Sequence, residues 1–347
     1  MTGFQEPLIP VSYIIFQESG TIYAQNGLTG DIDYSGTDAV TVIQSAIDAL
    51  TSGRTWRERV VLKGDFTLYK QSGQTYCIKV PTYTILDLTQ ARLYLADSQD
   101  CDIIYLEGAA DSSPKEHSEI WGGLIEGNKD NQASGHGIVI YKGSASIIKD
   151  TVINNVKQDG LRYTGENWDE WSGLHRAHNV RIYNCGRYGI YCNYHNDNLF
   201  DKCVVQNSGS HNVYLFGIHR LFYVHSIYAG GSSFYLPEGC DGTRLVECDA
   251  DTPESGQDNI YIGGDRNAII GGYVHGHGSS DDGIVLASTA SKNQIQNVHI
   301  SGGNYAVREE SGADYNIVTG NVGRNNGQSS PFSKTGSNSI FDNNLVC

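Results

Sequence analysis

Six side chains stand at the same place in a recurring five-residue phrase: Arg162, Tyr191, Tyr214, Tyr235, Tyr261 and Arg308. A tyrosine brings a phenol that can give or take a proton and an apolar ring. An arginine brings a fixed cation that can neutralise a carboxylate. Together these suit proton abstraction at C5 of a uronate sugar, where the proton lies α to a carboxylate: a cation must neutralise that carboxylate while a base removes the proton. Arg162 or Lys142 fits the first role. Tyr191, Tyr214, His195 or His211 fits the second, and Asp159 stands just before the Arg162 strand. Elimination would make a lyase, and reprotonation from the other face a C5 epimerase. Tyr235, Tyr261, His219, Lys142 and the tryptophans Trp168 and Trp171 of a polar insertion are expected to bind sugar, the tyrosines through flat ring faces. Inverting hydrolysis would instead need two carboxylates about 6.5–9.5 Å apart, with Asp159, Asp197, Glu238, Asp241 and Asp258 as candidates. A third reading has no chemistry: a glycan-binding or tailspike-like shaft.

What could line these residues up is the phrase itself: a turn residue, a small residue, apolar, variable, apolar. It reads HGIVI at His136–Ile140, DGLRY at Asp159–Tyr163, YGIYC at Tyr188–Cys192, HNVYL at His211–Leu215 and SSFYL at Ser232–Leu236. It continues as DNIYI at Asp258–Ile262, DGIVL at Asp282–Leu286 and a degraded YAVRE at Tyr305–Glu309. The first apolar residues, from Ile138 to Val307, are separated by 23, 29, 23, 21, 26, 24 and 23 residues. A second phrase interleaves, as in NLFDKCVVQNSG at Asn198–Gly209 and NAIIGGYVHGHG at Asn267–Gly278. A period in the low twenties with two or three short strands per repeat is the pattern of a parallel β-solenoid. Strand alternation turns the first and third phrase positions inward and the second outward. The longest interval holds the insertion Thr164–His178 with its two tryptophans, placed where solenoid loops often bind.

The expected fold class is all-β: a single-stranded, right-handed parallel β-helix over residues 37–347, preceded by a small β element over residues 1–36. Thr37 or Asp38 can cap a helix over about residues 38–50 whose Val40, Ile43, Ile47 and Leu50 fall on one face. Such a helix would cover the open end of the solenoid.

Net charge is −15, which argues against nucleic acid and mildly against a polyanionic substrate unless the groove is locally basic. No run is long and apolar enough for a membrane span. The eight cysteines include no C-x2-C pair, so neither metal ligation nor disulfides follow from spacing, although Cys240 and Cys248 could bridge. No cofactor is required, though Ca²⁺ could bridge an acidic groove and an acidic sugar. The expected partner is a polysaccharide, the assembly a monomer or homotrimer, and the setting extracellular or cell-surface, although no signal peptide is visible.

The helix GTDAVTVIQSAIDA, the strand ILDL and the turn WGGLIEGN, taken with the repeats, resemble the pectate-lyase-like superfamily of right-handed parallel β-helix proteins. That superfamily holds polysaccharide lyases, C5 epimerases, glycoside hydrolases and tailspikes, so the resemblance implies a fold and a carbohydrate-active function without choosing the reaction. Polygalacturonase-type hydrolases carry NTD, DD, GHG and RIK motifs in that order. Here GHGSSDDG at Gly276–Gly283 reverses the order, and NTD and RIK are missing. Mannuronan C5 epimerases carry a DPH motif, also missing here.

Overall fold

The computed structural model describes residues 11–108, 118–165, 172–276 and 280–347. Short strands of about four residues separated by Asn, Gly and Asp turns cannot bury both of their faces alone, so they coil and stack. One coil shows the plan. Its strands Ile190–Asn193, Asn198–Asp201 and Val204–Gln206 pair in parallel and in register with Val213–Leu215, His219–Phe222 and His225–Ile227 of the next coil. Repetition builds a front sheet of eleven strands, from Tyr76–Val80 to Phe332–Ser333, and a back sheet with two columns of strands. The chain is thus a right-handed parallel β-helix of about eleven turns.

At the N-terminus β1 (Val11–Glu18) and β2 (Thr21–Asn26) form an antiparallel hairpin, and β3 (Ile32–Gly36) pairs antiparallel to β2. The Asn26-Gly27 pair opens a wider turn than a two-residue hairpin, with Asn26 Oδ1 accepting from the Leu28 and Thr29 amides. β1 also runs parallel to β4 (Glu58–Leu68), which joins this element to the back sheet. Helix α1 (Ala39–Asp48) follows, and the Asp38 carboxylate accepts from the Val40 amide as its cap. Val40, Ile43, Ile47 and Leu50 are all buried, and α1 packs on β2, β3, β4 and β5 (Tyr76–Val80). The first apolar residues of the eight phrases are at most 1 % exposed.

A second interior column runs along the turn between the front and back sheets. Its members are Ser146, His175, Asn198, His219, Thr243, Asn267, Asn293, Asn316 and Ser339, all buried. Most accept a hydrogen bond from the backbone amide of the equivalent residue one coil earlier. The Asn267 amide donates to Asn293 Oδ1 at 2.8 Å, the Asn293 amide to Asn316 Oδ1 at 2.9 Å, and the Ser146 amide to His175 Nδ1 at 3.1 Å. The ladder satisfies buried turn amides that no strand pairs. Between the two columns of the back sheet the chain turns through one left-handed residue per coil, such as Lys202 (φ 53°) and Tyr223 (φ 54°). That conformation is costly for a side-chain-bearing residue, and each amide is compensated by a carbonyl of the next coil.

All eight cysteines, Cys240 and Cys248 included, are free thiols, seven of them buried. No helix among the described residues is long and apolar enough to cross a membrane.

Candidate functional site

The outward column of the front sheet is in register as the alternation requires: Arg162 beside Tyr191, Tyr191 beside Tyr214, Tyr214 beside Tyr235 and Tyr235 beside Tyr261. Ring centroids along the tyrosines are 5.1, 5.6 and 4.7 Å apart, with planes 21°, 17° and 7° from parallel. Rings lying side by side on the sheet would keep their centroids farther apart, so these overlap like roof tiles. The expected row of open ring faces is therefore corrected. Most of each face meets the next ring, and the outer surface of the front sheet presents ring edges and hydroxyls. A shorter parallel file runs alongside, with Tyr188 stacked on Tyr191 (5.3 Å) and on His211 (5.9 Å), and His211 on Tyr235 (4.2 Å). Burial pushes the Tyr214 phenol up to about 12, helped by the neighbouring phenols. It raises Tyr191 as well, against the pull of Arg162 and Arg187.

At the N-terminal end of the ladder Asp159 is fully buried and gathers two guanidiniums. Arg162 Nη1 donates to its Oδ2 at 2.8 Å, and Arg187 Nε to its Oδ1 at 2.7 Å. His136 Nδ1 stands 3.3 Å from Oδ2 and accepts from the Asp159 amide at 3.1 Å. Burial alone would raise this carboxyl, but the hydrogen bond and charge of Arg187, with His136, hold it well below the usual carboxylate range. Arg162 lies 4.7 Å over the Tyr191 ring, and Arg187 lies 5.0 Å over Tyr188 and 5.4 Å over Tyr191. Two cations thus share one counter-ion and press on one phenol. Lys142 is one coil before Arg162, its amide donating to the Thr164 carbonyl.

At the other end the ratio is inverted. Arg308 binds buried Asp282 through Nε and Glu310 through Nη1 (3.1 Å). The Asp282 amide donates to Asp258 Oδ1 at 2.9 Å. Burial raises the Asp258 carboxyl, and the charge of Asp282 adds to the rise. Glu238 and Glu310 also lie near enough to Tyr261 to act on its phenol, and Glu238 is exposed.

Two expected site residues are not in this groove. His195 and His219 have no exposed surface. His219 occupies a rung of the turn ladder where other coils have Asn, Thr, Ser or His, and its amide donates to Thr243 Oγ1 at 2.9 Å. His195 packs inside against His175 (5.2 Å) and Tyr163 (6.2 Å). Burial pushes His195 down to about 4 and His219 to about 3. They are interior groups, because the turn after the front strand folds inward there. His211 does lie beside the ladder. Its Nδ1 accepts from the Ser232 amide at 2.8 Å, and burial pushes it down to about 4, so it is neutral at pH 7 with the ring proton on Nε2. Of the other carboxylates, Asp241 is paired with Arg266 at 3.1 Å. Trp168 and Trp171 lie outside the described residues. Val139 and Val285 occupy outward positions yet are buried, short side chains covered by longer neighbours.

Arg187 is the functional candidate that sequence reasoning passed over. Arg187 precedes the turn residue of its phrase, where the other seven copies carry Gly, Gln, Ser, Asp or Asn. A single cation in that column was the available signal. Among the described residues no cluster of His, Cys, Asp or Glu has the arrangement to hold a metal ion.

No family model matches the chain, and no curated protein matches it in sequence. Its fold is similar to that of solved parallel β-helix proteins. The A-module of the mannuronan C-5 epimerase AlgE6 of Azotobacter vinelandii is 14 % identical, with a TM-score of 0.72 over 89 % of this chain and 95 % of that one. ORF18 of Geobacillus virus E2 is 14 % identical, with a TM-score of 0.56 over 94 % and 68 %. The DFA-IIIase of Arthrobacter chlorophenolicus A6 is 10 % identical, with a TM-score of 0.58 over 86 % and 93 %. At such identities the likeness is one of fold.

Proposed function

We propose that the protein is a carbohydrate-active enzyme that removes the C5 proton of a uronate unit held at the Arg162, Arg187 and Tyr191 end of the groove. The observation that carries this reading is the pair of guanidiniums on the single buried carboxylate Asp159, both over the Tyr191 ring. The pair exceeds its hydrogen-bonded counter-ion by one charge in a chain of net charge −15, with Asp102 the next carboxylate near Arg162. A sugar carboxylate placed there would be neutralised, and charge developing on it during proton loss would be stabilised. Tyr191 is the phenol in contact with both cations, which favour its ionised form against burial; as phenolate it takes the C5 proton. In elimination the C5–H and C4–O bonds break, a C4–C5 double bond forms, and the leaving oxygen takes a proton from a phenol such as Tyr214. In epimerisation the carbanion regains a proton on its other face. Asp159 positions the arginines and takes no proton itself. Fold neighbours that are named mannuronan and alginate epimerases and DFA-IIIase support a polysaccharide as substrate, and an extracellular or cell-surface setting accords with it.

The Asp258–Asp282 pair supports a second reading. A carboxyl raised by burial beside an ionised one is the pattern of a glycosidase acid and its partner.

The test is a panel of polyuronates and mixed acidic and neutral glycans. Ultraviolet absorbance of the conjugated double bond, reducing ends, and deuterium uptake from heavy water are followed together. Absorbance or deuterium uptake that disappears in Tyr191→Phe is expected. Reducing ends alone, lost in Asp258→Asn and kept in Tyr191→Phe, would replace the proposal with hydrolysis.

A further inference from the structure

The groove is electrically polar along its length. At the Arg162 end, two guanidiniums are bonded to one carboxylate, Asp159, with Asp102 the further carboxylate that acts on Arg162. Four coils on from Arg162, the charges of Glu238, Asp258 and Glu310 act on Tyr261, and Asp282 and Glu310 already occupy Arg308. Four carboxyl groups there face one guanidinium. The front sheet rises about 4.8 Å per coil, close to the length of one sugar unit, so a glycan lying along the ladder sets roughly one sugar against each coil. The span between the poles is about 19 Å, roughly two screening lengths at 0.1 M salt, so each sugar meets its own local field.

From these observations we infer that the substrate is a heteropolysaccharide carrying isolated uronates: one acidic unit at Arg162 and Arg187, and neutral or amino sugars over Tyr235 and Tyr261. This rests on the groove assignment above and narrows its substrate class. A homopolymeric uronate would set a carboxylate on every coil, and those at Tyr235 and Tyr261 would face Glu238, Asp258 and Glu310 with no free cation among these groups. Like-charge contact at such a site selects against the wrong ligand. The overlapped tyrosines agree, because hydroxyls and ring edges serve the hydroxyls and apolar faces of uncharged sugars.

The experiment measures binding calorimetrically at low salt, using the intact protein and fragments of matched length. One probe is deacylated gellan, in which single glucuronates are separated by neutral sugars. The other is alginate. The gellan fragment is expected to bind at least about tenfold tighter, which corresponds to roughly 1.4 kcal/mol. In the double variant Glu238→Gln with Asp258→Asn the alginate fragment gains affinity and the gap narrows to about threefold. Added salt narrows it in the wild type. Equal binding of both probes by the wild type, abolished in Arg162→Ala, overturns the inference and leaves the groove assignment standing. Failure of both probes to bind, or binding that survives Arg162→Ala, overturns both.

Discussion

The coils from Leu161 to Phe222 and those from Ile260 to Arg324 share one backbone plan and differ in what occupies it. In the first group a buried aspartate holds two arginines against a phenol, and two of the turn-ladder rungs are histidines. In the second, one arginine serves two carboxylates, and the turn ladder is made of asparagines bonded to one another. Each asparagine rung of the second group, Asn267, Asn293 and Asn316, offers an oxygen to the previous coil and a nitrogen to a carbonyl, so both ends are satisfied. A histidine rung leaves ring nitrogens buried without a partner among the described residues, His175 Nε2 and His219 Nδ1. The asparagine coils are built for stability. The histidine coils carry unsatisfied ring nitrogens behind the stretch where the chemistry is proposed, and such groups are often found near functional sites.

The sharpest way to break this comparison is to remove one phenol from each end. Tyr191→Phe is expected to lower the rate of C5 proton loss by about 10²–10⁴, the usual share of one acid–base group. Tyr261→Phe should leave the rate within a few-fold, and equal losses would dissolve the distinction between the two ends. Next is stability. Asp159→Ala strands two guanidiniums, and breaking a buried pair in this way costs about 3–5 kcal/mol. Asp282→Asn, which leaves Glu310 on Arg308, should cost clearly less, as read from denaturant midpoints.

Acid separates the two groups of coils next. The buried histidines have folded-state pKa values below the unfolded one, so the unfolded chain binds more protons as pH falls. Stability is complete above about pH 6.5 and declines toward pH 4, by roughly 2 kcal/mol per buried histidine at pH 5. Asp159, depressed in the fold, has its stabilisation in place above about pH 4 and loses it only below. His219→Asn should remove one histidine share and flatten the decline between pH 6.5 and 4. An unchanged pH profile would show that His219 is not buried as a neutral ring. The smallest expected effect is Tyr235→Ala, which interrupts the ring stack and should cost about 0.5–1.5 kcal/mol beyond the area lost.

The solenoid, its capping helix and the inward and outward columns were legible in the sequence because they rest on periodicity. Arg162, Tyr191, Tyr214, Tyr235 and Tyr261 fall into register since strand alternation leaves them no other face. Turns obey no such alternation. His195 and His219, read as flanking the groove, sit inside the solenoid instead. His219 stands immediately before RLFYVH, the position held by Asn198 and Asn267 in their own phrases, so its inward placement was open to a column reading. His195 belongs to a turn of varying length and had no such column. The overlap of the tyrosine rings depends on their tilt, which no residue pattern encodes.

The turn ladder has one more consequence. Because each rung reaches only its neighbour one coil away, a whole coil could be spliced out or duplicated and the bonds would close again across the join. Groove length in this architecture therefore changes in steps of one coil, each close to a sugar unit. If the ladder holds a glycan as proposed, the molecule is a ruler graduated in monosaccharides, and its charged ends mark where the reading starts and stops.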